Sequence, residues 1–418
     1  MGQFVIPLVG EILSHTISDQ DNQGMWIVNG SSPFRFLVRD SRGAPNRKIR
    51  LIGPNCLTPT QGEETLCIGA GLDHLDDQDI LTFSLVHKRL YVQWKNKSHS
   101  NSVLLTEQCD NYCIMCSQPP KSAPDSHLLD NANSLVSALK LVQAEHPVIG
   151  LTGGEPTLYG TKLVNLIERI LKELPSYDIH LLSNGRRFAK EGFCDDFARV
   201  LTDRLVIGIP IYGSIAEEHD YTVGAQGAFF ETVQGLQNLL ERSAQIELRV
   251  VLQKSTCFNL TPITDFIVRN LHGVSQVSLM GLELMGFARS NFGAVWVDPI
   301  DYLNELRRSV LLLDAHGFNP RIFNHQLCVI DPEIRRFAVR SISDWKQDYD
   351  AACDSCVVKA DCGGFFSSSD LAISRAIRPL QTPSEKLIND DLEDNSKIKS
   401  EISLKGRRRL KISVDLHN

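Results

Sequence analysis

Over the first hundred residues, short apolar runs alternate with turns rich in Gly, Pro, Asn and Asp. The runs predicted as strands are 25–28, 34–38, 80–85 and 89–94. Strands of this length, each bounded by turn residues, are typical of a small sandwich or partial barrel. The pattern therefore predicts a β-rich N-terminal domain over residues 1–100, ending in a polar linker at 95–102.

From residue 101 the pattern changes to strand-like apolar runs that alternate with amphipathic helical stretches. The predicted strands are 103–106, 148–152, 179–183, 205–211, 246–252 and 277–282. The predicted helices are 128–144, 163–174, 230–241, 263–271 and 298–316. This alternation implies a parallel sheet with right-handed crossovers. Six units are fewer than the eight of a closed barrel, so the predicted fold class is α/β, a partial (β/α)6 TIM-like barrel over 101–318.

The C-terminal part divides into two segments of different composition. Residues 319–378 are rich in cysteine and are predicted to form a small cluster domain. Residues 379–418 are polar, with acidic pairs and a basic run at 405–409, and are predicted to be a disordered tail.

Composition narrows the function classes. The 418 residues are 42% hydrophobic and 22% charged, which is ordinary for a globular protein with a sizeable core. The formal net charge of −7 disfavours a nucleic-acid surface. Apolar runs are too short for a membrane span, and the N-terminus lacks the basic start of a signal peptide. We therefore expect a cytoplasmic protein without a membrane partner.

The eleven cysteines are unevenly distributed. A disulfide framework is not expected in a reducing cytosol. Six of the eleven lie in two clusters, at 109–116 and 353–362, and such clustering indicates metal binding. The scattered cysteines are interpreted as small hydrophobic residues: Cys56, Cys67, Cys194 and Cys257.

The first cluster has the spacing C-x3-C-x2-C, formed by Cys109, Cys113 and Cys116. Three thiolates on one loop can hold three corners of an iron–sulfur cube and leave the fourth iron without a protein ligand. An open metal position is typical of catalytic sites, whereas a closed one is usually structural. Taken alone, the triplet could also bind zinc.

Two further motifs accompany the triplet. The second predicted strand ends in Gly153-Gly154-Glu155-Pro156, and the third ends in Ser183-Asn184. The carboxyl ends of parallel strands share one edge of the sheet, where active sites of such folds lie. With these motifs the chain resembles the radical S-adenosylmethionine (SAM) superfamily. The resemblance implies reductive cleavage of SAM to a 5′-deoxyadenosyl radical that abstracts a hydrogen atom, while the protein positions the reactants and excludes water.

The resemblance also implies roles for individual residues. The three cysteines would hold a 4Fe–4S cluster whose open iron binds SAM. The implied cofactor-binding residues are Met115, Gly153, Gly154, Glu155, Ser183, Asn184 and Arg249. Met115 stands where the family often has an aromatic residue, and Glu155 would pair with the cofactor's ammonium group. An Asx turn at Ser183-Asn184 and a buried ion pair at Arg249 are the structural alternatives.

The second cluster consists of Cys328 and the C-x2-C-x5-C run Cys353, Cys356 and Cys362. It looks like the auxiliary-cluster segment of SPASM and twitch-type radical SAM enzymes. The resemblance implies one auxiliary 4Fe–4S cluster held by four thiolates. A four-cysteine zinc site is one alternative, because the spacing permits it as well. A merely buried Cys328 without a metal is the other.

At a finer level, residues 104–120 and 362–366 resemble the C-type radical SAM maturase of the His-Xaa-Ser system. The resemblance implies modification of a ribosomally made precursor peptide (a RiPP). It further implies a second radical SAM maturase, a small partner protein and an electron donor such as flavodoxin or ferredoxin. The N-terminal domain would dock the peptide or partner. The alternatives are a radical SAM enzyme acting on RNA or a small cofactor, and a non-catalytic zinc-binding scaffold.

Overall fold

The computed structural model describes residues 8–15, 25–29, 35–39, 47–52, 65–68, 75–343 and 346–381. Cys56 and the tail beyond residue 381 lie outside these ranges. No helix in the described part of the chain is long and apolar enough to cross a membrane.

Seven N-terminal strands close into a barrel. They are β1 (Leu8–His15), β2 (Trp26–Asn29), β3 (Arg35–Arg39), β4 (Arg47–Ile52), β5 (Thr65–Ile68), β6 (Ile80–Ser84) and β7 (Arg89–Trp94). Their order is β1-β5-β4-β3-β2-β6-β7, and β7 returns to β1. The barrel interior is apolar, with Trp26, Leu66 and Leu90 fully buried. The strands predicted at 25–28, 34–38, 80–85 and 89–94 are confirmed as β2, β3, β6 and β7.

The sequence pattern missed β1, β4 and β5. A glycine and a glutamate interrupt the apolar pattern of β1, and three of the six residues of β4 are basic. These strands are recognisable only through their pairing partners, since β4 joins β3 and β5 in the closed ring.

Residues 95–100 form an ordered turn, and residues 101–102 already belong to the next strand. The Lys95 N–H donates to Asn101 Oδ1 and Asn101 Nδ2 donates back to the Lys95 carbonyl, both at 2.9 Å. Just before this turn, Trp94 lies in the main core, with its ring centroid 5.9 Å from that of Tyr177. The expected polar linker is therefore a tight connection between packed elements.

Eight parallel strands form the main sheet in simple sequential order. They are β8 (Asn101–Thr106), β9 (Val148–Gly153), β10 (Asp178–Leu182), β11 (Leu205–Pro210), β12 (Gln245–Leu252), β13 (Gln276–Gly281), β14 (Pro320–Phe323) and β15 (Ala338–Val339). The α/β class and the six predicted strands are confirmed. The predicted number of six strands is corrected to eight. The sequence pattern missed β14 and β15 because they are short and lie inside the cysteine-rich segment.

The helices lie mainly between these strands. They are α1 (Ser126–Leu139), α2 (Thr161–Glu173), α3 (Glu191–Ala198), α4 (Ala216–Val223), α5 (Ala228–Glu241), α6 (Lys254–Phe258), α7 (Leu260–Asn270), α8 (Gly286–Ser290), α9 (Phe292–Val295) and α10 (Leu303–Ala315). The five predicted helices correspond to α1, α2, α5, α7 and α10. Helix α2 shows the expected pattern, since its buried residues Leu163, Val164 and Ile167 recur at helical spacing.

A small two-stranded antiparallel sheet organises the cysteine-rich segment. It pairs β16 (Gln347–Asp348) with β17 (Phe365–Phe366). Leu380 is fully buried, and its carbonyl accepts a hydrogen bond from Val357 N–H at 3.1 Å. Residues up to 381 therefore pack onto this segment, beyond the expected boundary at 378.

Candidate functional site

The three predicted catalytic cysteines lie on the wall of one cavity of about 230 Å³ at the carboxyl edge of the parallel sheet. The cavity is lined by residues that follow or end successive strands. They include Cys109, Cys113, Met115, Cys116, Gly153, Gly154, Ser183, Asn184, Tyr212, Arg249, Met280, Gly281, Glu283, Asn324 and Phe366. The structure therefore brings together every predicted cofactor-binding residue except Glu155.

The cysteine loop runs beside the end of α4. The N–H groups of Tyr112 and Ile114 donate to the carbonyls of Val223 and Thr222, at 2.7 and 3.0 Å. Gly224 has φ +62°, and a Cβ there would lie 2.6 Å from the Tyr112 carbonyl. A glycine is required at this close approach. These bonds fix the residues on either side of Cys113.

Gly153 and Gly154 hold the base of the same loop. A Cβ at Gly153 would lie 2.5 Å from the Thr106 carbonyl oxygen, and a Cβ at Gly154 would collide with the carbonyl oxygen of Gln108. The Gly154 N–H donates to Thr106 O and the Glu155 N–H to Gln108 O, both at 2.8 Å. Both glycines line the cavity, and their missing side chains let β9 pack against the cysteine loop.

Glu155 is fully buried and lies behind the cavity wall. Its Oε1 accepts from Thr157 N–H at 2.9 Å, from Thr157 Oγ1 at 2.6 Å and from Ser183 Oγ at 2.9 Å. Its Oε2 accepts from the Asn184 N–H at 2.6 Å. Burial raises the pKa of Glu155, and these hydrogen bonds oppose the rise. Protein donors thus engage both oxygens, whereas the sequence suggested a partner on the cofactor.

Ser183 and Asn184 connect this carboxylate to the cavity. Both line the cavity, and Asn184 Nδ2 donates to Asp110 Oδ1, on the cysteine loop, at 2.6 Å. The Asn184 side chain also accepts from Arg186 N–H at 3.0 Å, which is an Asx-type turn. Asn184 therefore combines the structural alternative with a position on the cavity wall.

Arg249 reaches the cavity from β12 and is 8% exposed. Its Nη1 lies 3.2 Å from Glu247 Oε2, and the same oxygen lies 2.7 Å from His180 Nε2. Arg249, followed by His180, holds the pKa of Glu247 well below its usual range against the effect of burial. The buried ion pair considered from the sequence is present, on a residue that also faces the cavity.

The donor set of the first cluster fits an iron–sulfur cluster. Burial, with the charge of Glu155 adding to it, raises the pKa of Cys109 to about 12. Burial also raises the pKa values of Cys113 and Cys116. Buried thiols of this kind become thiolates when a metal binds them, and soft thiolates suit iron–sulfur clusters. Within the described residues, no three His, Cys, Asp or Glu side chains are grouped to hold a single metal ion.

One small cavity of about 20 Å³ is lined by all four cysteines of the second cluster, Cys328, Cys353, Cys356 and Cys362. The N–H of Leu327 donates to Cys362 Sγ and that of Leu380 to Cys356 Sγ, both at 3.4 Å. Such N–H···S contacts are frequent around metal-bound sulfur.

Gly364, just after this cluster, has φ +65°, and a Cβ there would lie 2.7 Å from the Asp348 carbonyl. The glycine therefore allows β17 to approach β16.

Sequence reasoning missed several cavity residues, notably Asn324 and Phe366. Asn324 follows β14, and the rule that sites lie at carboxyl strand ends would have found it had β14 been predicted. Phe366 belongs to the small β16–β17 sheet, and no local signal connects it to the cavity. Glu283, two residues after β13, carried no assigned role.

Comparison with known protein families finds a match over the part of the chain that carries the cysteine loop and strands β9 and β10. Residues 103–242 match the family model described as the radical SAM superfamily. No curated protein matches the chain.

Solved structures similar to this chain include Streptococcus suis SuiB bound to S-adenosylmethionine (13% identity, TM-score 0.43, 54% of this chain and 50% of that chain covered). Another is anSMEcpe with bound AdoMet and the Cp18Cys peptide (15% identity, TM-score 0.42, 53% of this chain and 62% of that chain covered). A third is a radical SAM methyltransferase from Sphaerobacter thermophilus (10% identity, TM-score 0.38, 76% of this chain and 77% of that chain covered). The chain thus spans about half the length of SuiB and about three fifths of anSMEcpe. Residues 103–242, which carry the cysteine loop, the Gly-Gly-Glu-Pro turn and Ser183-Asn184, are therefore the part of the chain that is similar to the radical SAM superfamily.

Proposed function

We propose that this protein is a radical SAM enzyme that modifies a ribosomally made peptide. The observation that supports it is the single cavity shared by the thiols of Cys109, Cys113 and Cys116 and by the glycine and polar residues at the ends of β9 and β10. When bound, the 4Fe–4S cluster and SAM would supply the radical chemistry, in which reductive cleavage of SAM yields the species that takes a hydrogen atom from the substrate.

The chain's own residues position that chemistry. The three thiols hold the cluster, Gly153 and Gly154 expose main-chain groups to the cofactor, and Met115 is a 5% exposed thioether available for packing on adenine. Ser183 and Asn184 offer hydroxyl and amide groups on the same wall. Much of the lining is apolar, including Phe366, and would shield bound reactants from water.

The decisive experiment is anaerobic reconstitution with iron, sulfide, SAM and a reductant. We expect 5′-deoxyadenosine from the wild type and none from Cys113→Ala. Cys67→Ala is the matched control, because Cys67 is half-buried in the N-terminal barrel, away from both clusters. Product from Cys113→Ala, or its absence from the wild type, would remove the proposal.

The peptide substrate rests on the resemblance of residues 104–120 to His-Xaa-Ser maturases. A small peptide encoded beside this protein, co-expressed with and without it, should change in mass only with it. A deuterium-labelled peptide should then transfer its label to 5′-deoxyadenosine, and transfer from RNA or a small molecule instead would favour those substrates. On this proposal the N-terminal barrel docks the peptide or a small partner protein, alongside a second maturase and an electron donor such as flavodoxin or ferredoxin.

We further propose that Cys328, Cys353, Cys356 and Cys362 hold one auxiliary 4Fe–4S cluster. Their shared cavity and the N–H groups directed at Cys356 and Cys362 support it. Iron and acid-labile sulfide should fall by half in Cys356→Ala, with 5′-deoxyadenosine formation retained. A colourless wild-type protein containing zinc and no sulfide would instead identify the non-catalytic scaffold.

A further inference from the structure

A buried ion pair joins the cavity to the cysteine-rich segment. Glu283 Oε1 accepts from Lys346 Nζ at 3.0 Å, and the two residues are 9% and 3% exposed. Glu283 follows β13 and lines the cavity, whereas Lys346 immediately precedes β16. The pair therefore connects the parallel sheet to the segment that carries the second cysteine cluster.

The small β16–β17 sheet positions both Lys346 and Phe366, the residues of that segment that contact Glu283 and line the cavity, respectively. Gln347 pairs with Phe366, and the Ser367 N–H donates to the Lys346 carbonyl at 2.7 Å. Lys346 and Phe366 thus lie at one end of the same short sheet. Through Phe366 the cysteine-rich segment contributes to the wall of the cavity, and through Lys346 it contacts Glu283.

The free oxygen of Glu283 is the chemically informative atom. Glu283 is the one carboxylate among the described residues that line the cavity. Its Oε2 has no hydrogen-bond partner within the described residues, while Lys346 holds its Oε1. Burial raises the pKa of Glu283 and Lys346 opposes the rise, so the ammonium favours the charged carboxylate. An ionised carboxylate only accepts hydrogen bonds, so its ligand must be an N–H or O–H donor.

We propose that Glu283 binds the peptide substrate by accepting a hydrogen bond from one of its N–H or O–H groups, with Lys346 as the positioning residue. This inference rests on the proposed function. The residues assigned to the cofactor lie on the cysteine loop and on or directly after β9, β10 and β12, whereas Glu283 follows β13, is bonded to Lys346 of the cysteine-rich segment and lines the cavity together with Phe366 of that segment. For this reason we assign Glu283 to the peptide rather than to SAM.

The test measures two reactions on reconstituted full-length protein: 5′-deoxyadenosine formation without peptide, and modification of a synthetic peptide with His-Xaa-Ser repeats. Glu283→Gln should raise the KM for peptide roughly 10- to 100-fold, the value of a hydrogen bond to a charged group. Peptide-free cleavage and the KM for SAM should stay within about twofold. Lys346→Met should act in the same direction, and Lys346→Arg should restore most of the wild-type KM.

Two further variants keep the result decisive. Glu283→Leu combined with Lys346→Met removes both buried charges, a replacement that proteins often tolerate, and should fold yet lose peptide binding. Asp370→Asn is the control, because its exposed pair with Arg289 also links the sheet domain to the C-terminal segment, at 2.7 Å. An unchanged peptide KM in the folded double variant, or a rise in the KM for SAM instead, overturns the inference. Absence of cleavage in the wild type would defeat the proposed function itself.

Discussion

Replacement of Glu155 distinguishes two roles for the Gly-Gly-Glu-Pro turn. If the carboxylate pairs with the cofactor, Glu155→Gln lowers SAM affinity and leaves stability unchanged. The structure predicts the reverse, because protein donors occupy both oxygens.

The size of the effect follows from these bonds. In Glu155→Gln the amide oxygen can replace Oε1, but the amide NH2 then faces the Asn184 N–H and leaves this buried donor unsatisfied. One such donor costs about 1–3 kcal/mol. Loss of the buried charge offsets part of this cost, so we expect the free energy of unfolding to fall by about 1–2 kcal/mol. Glu155→Ala leaves the N–H groups of both Thr157 and Asn184 without an acceptor and should lower the free energy of unfolding by about 2–6 kcal/mol.

Urea unfolding followed by circular dichroism gives the stability change, and amide hydrogen exchange at Asn184 reports the local loss. The KM for SAM is measured on the same variants. An unchanged unfolding midpoint, together with a tenfold weaker SAM interaction in Glu155→Gln, would refute the structural role.

Three further predictions concern the loop, pH and the buried ion pair. Gly154→Ala should prevent assembly of the cluster at Cys109, Cys113 and Cys116 and lower the iron content on reconstitution by about half, because its Cβ collides with the cysteine loop. Gly192→Ala, with open space around it, should bind iron normally; equal iron contents in the two variants would contradict this. Burial lowers the pKa of His219 to about 4 from 6.5, so between those values the unfolded chain binds a proton that the folded chain does not. The free energy of unfolding should therefore fall as the pH drops through this window, by up to about 1.4 kcal/mol per pH unit. In urea titrations at several pH values, His219→Gln should reduce the slope of the free energy of unfolding against pH by that amount. Equal slopes in the variant and the wild type would refute this assignment. Arg249→Gln leaves Glu247 buried without its arginine and should lower the free energy of unfolding by about 3 kcal/mol, unlike Arg199→Gln at an exposed pair; equal losses would argue against a buried pair.

The cysteine loop and its partners were predictable because parallel strands carry their carboxyl ends to one edge. Once strands were recognised before Cys109, Gly153 and Ser183, their meeting in one cavity followed from topology. These strands contain apolar runs with buried residues such as Leu105, Leu151 and Leu181, and such runs are visible in a single sequence.

Other features depend on contacts distant in sequence. Strand β15 has two residues and forms only because β14 offers an edge. Two partners of Glu155, Ser183 and Asn184, are 28 and 29 residues away, on the next strand end. Phe366 reaches the cavity through a sheet that the sequence pattern does not reveal. Tertiary pairing decides each of these cases, and local propensity carries no trace of it.

The main-chain bonds that hold the cysteine loop have a consequence for the protein's lifetime. The bonds from Tyr112 and Ile114 to α4, and from Gly154 to Thr106, involve no sulfur atom. In small metal domains the ion supplies the folding energy, so its loss unfolds the chain. Here the path of the loop is fixed by the surrounding protein. If the proposed cluster is present, its destruction by oxygen would therefore leave a folded site that can be reconstituted with iron and sulfide.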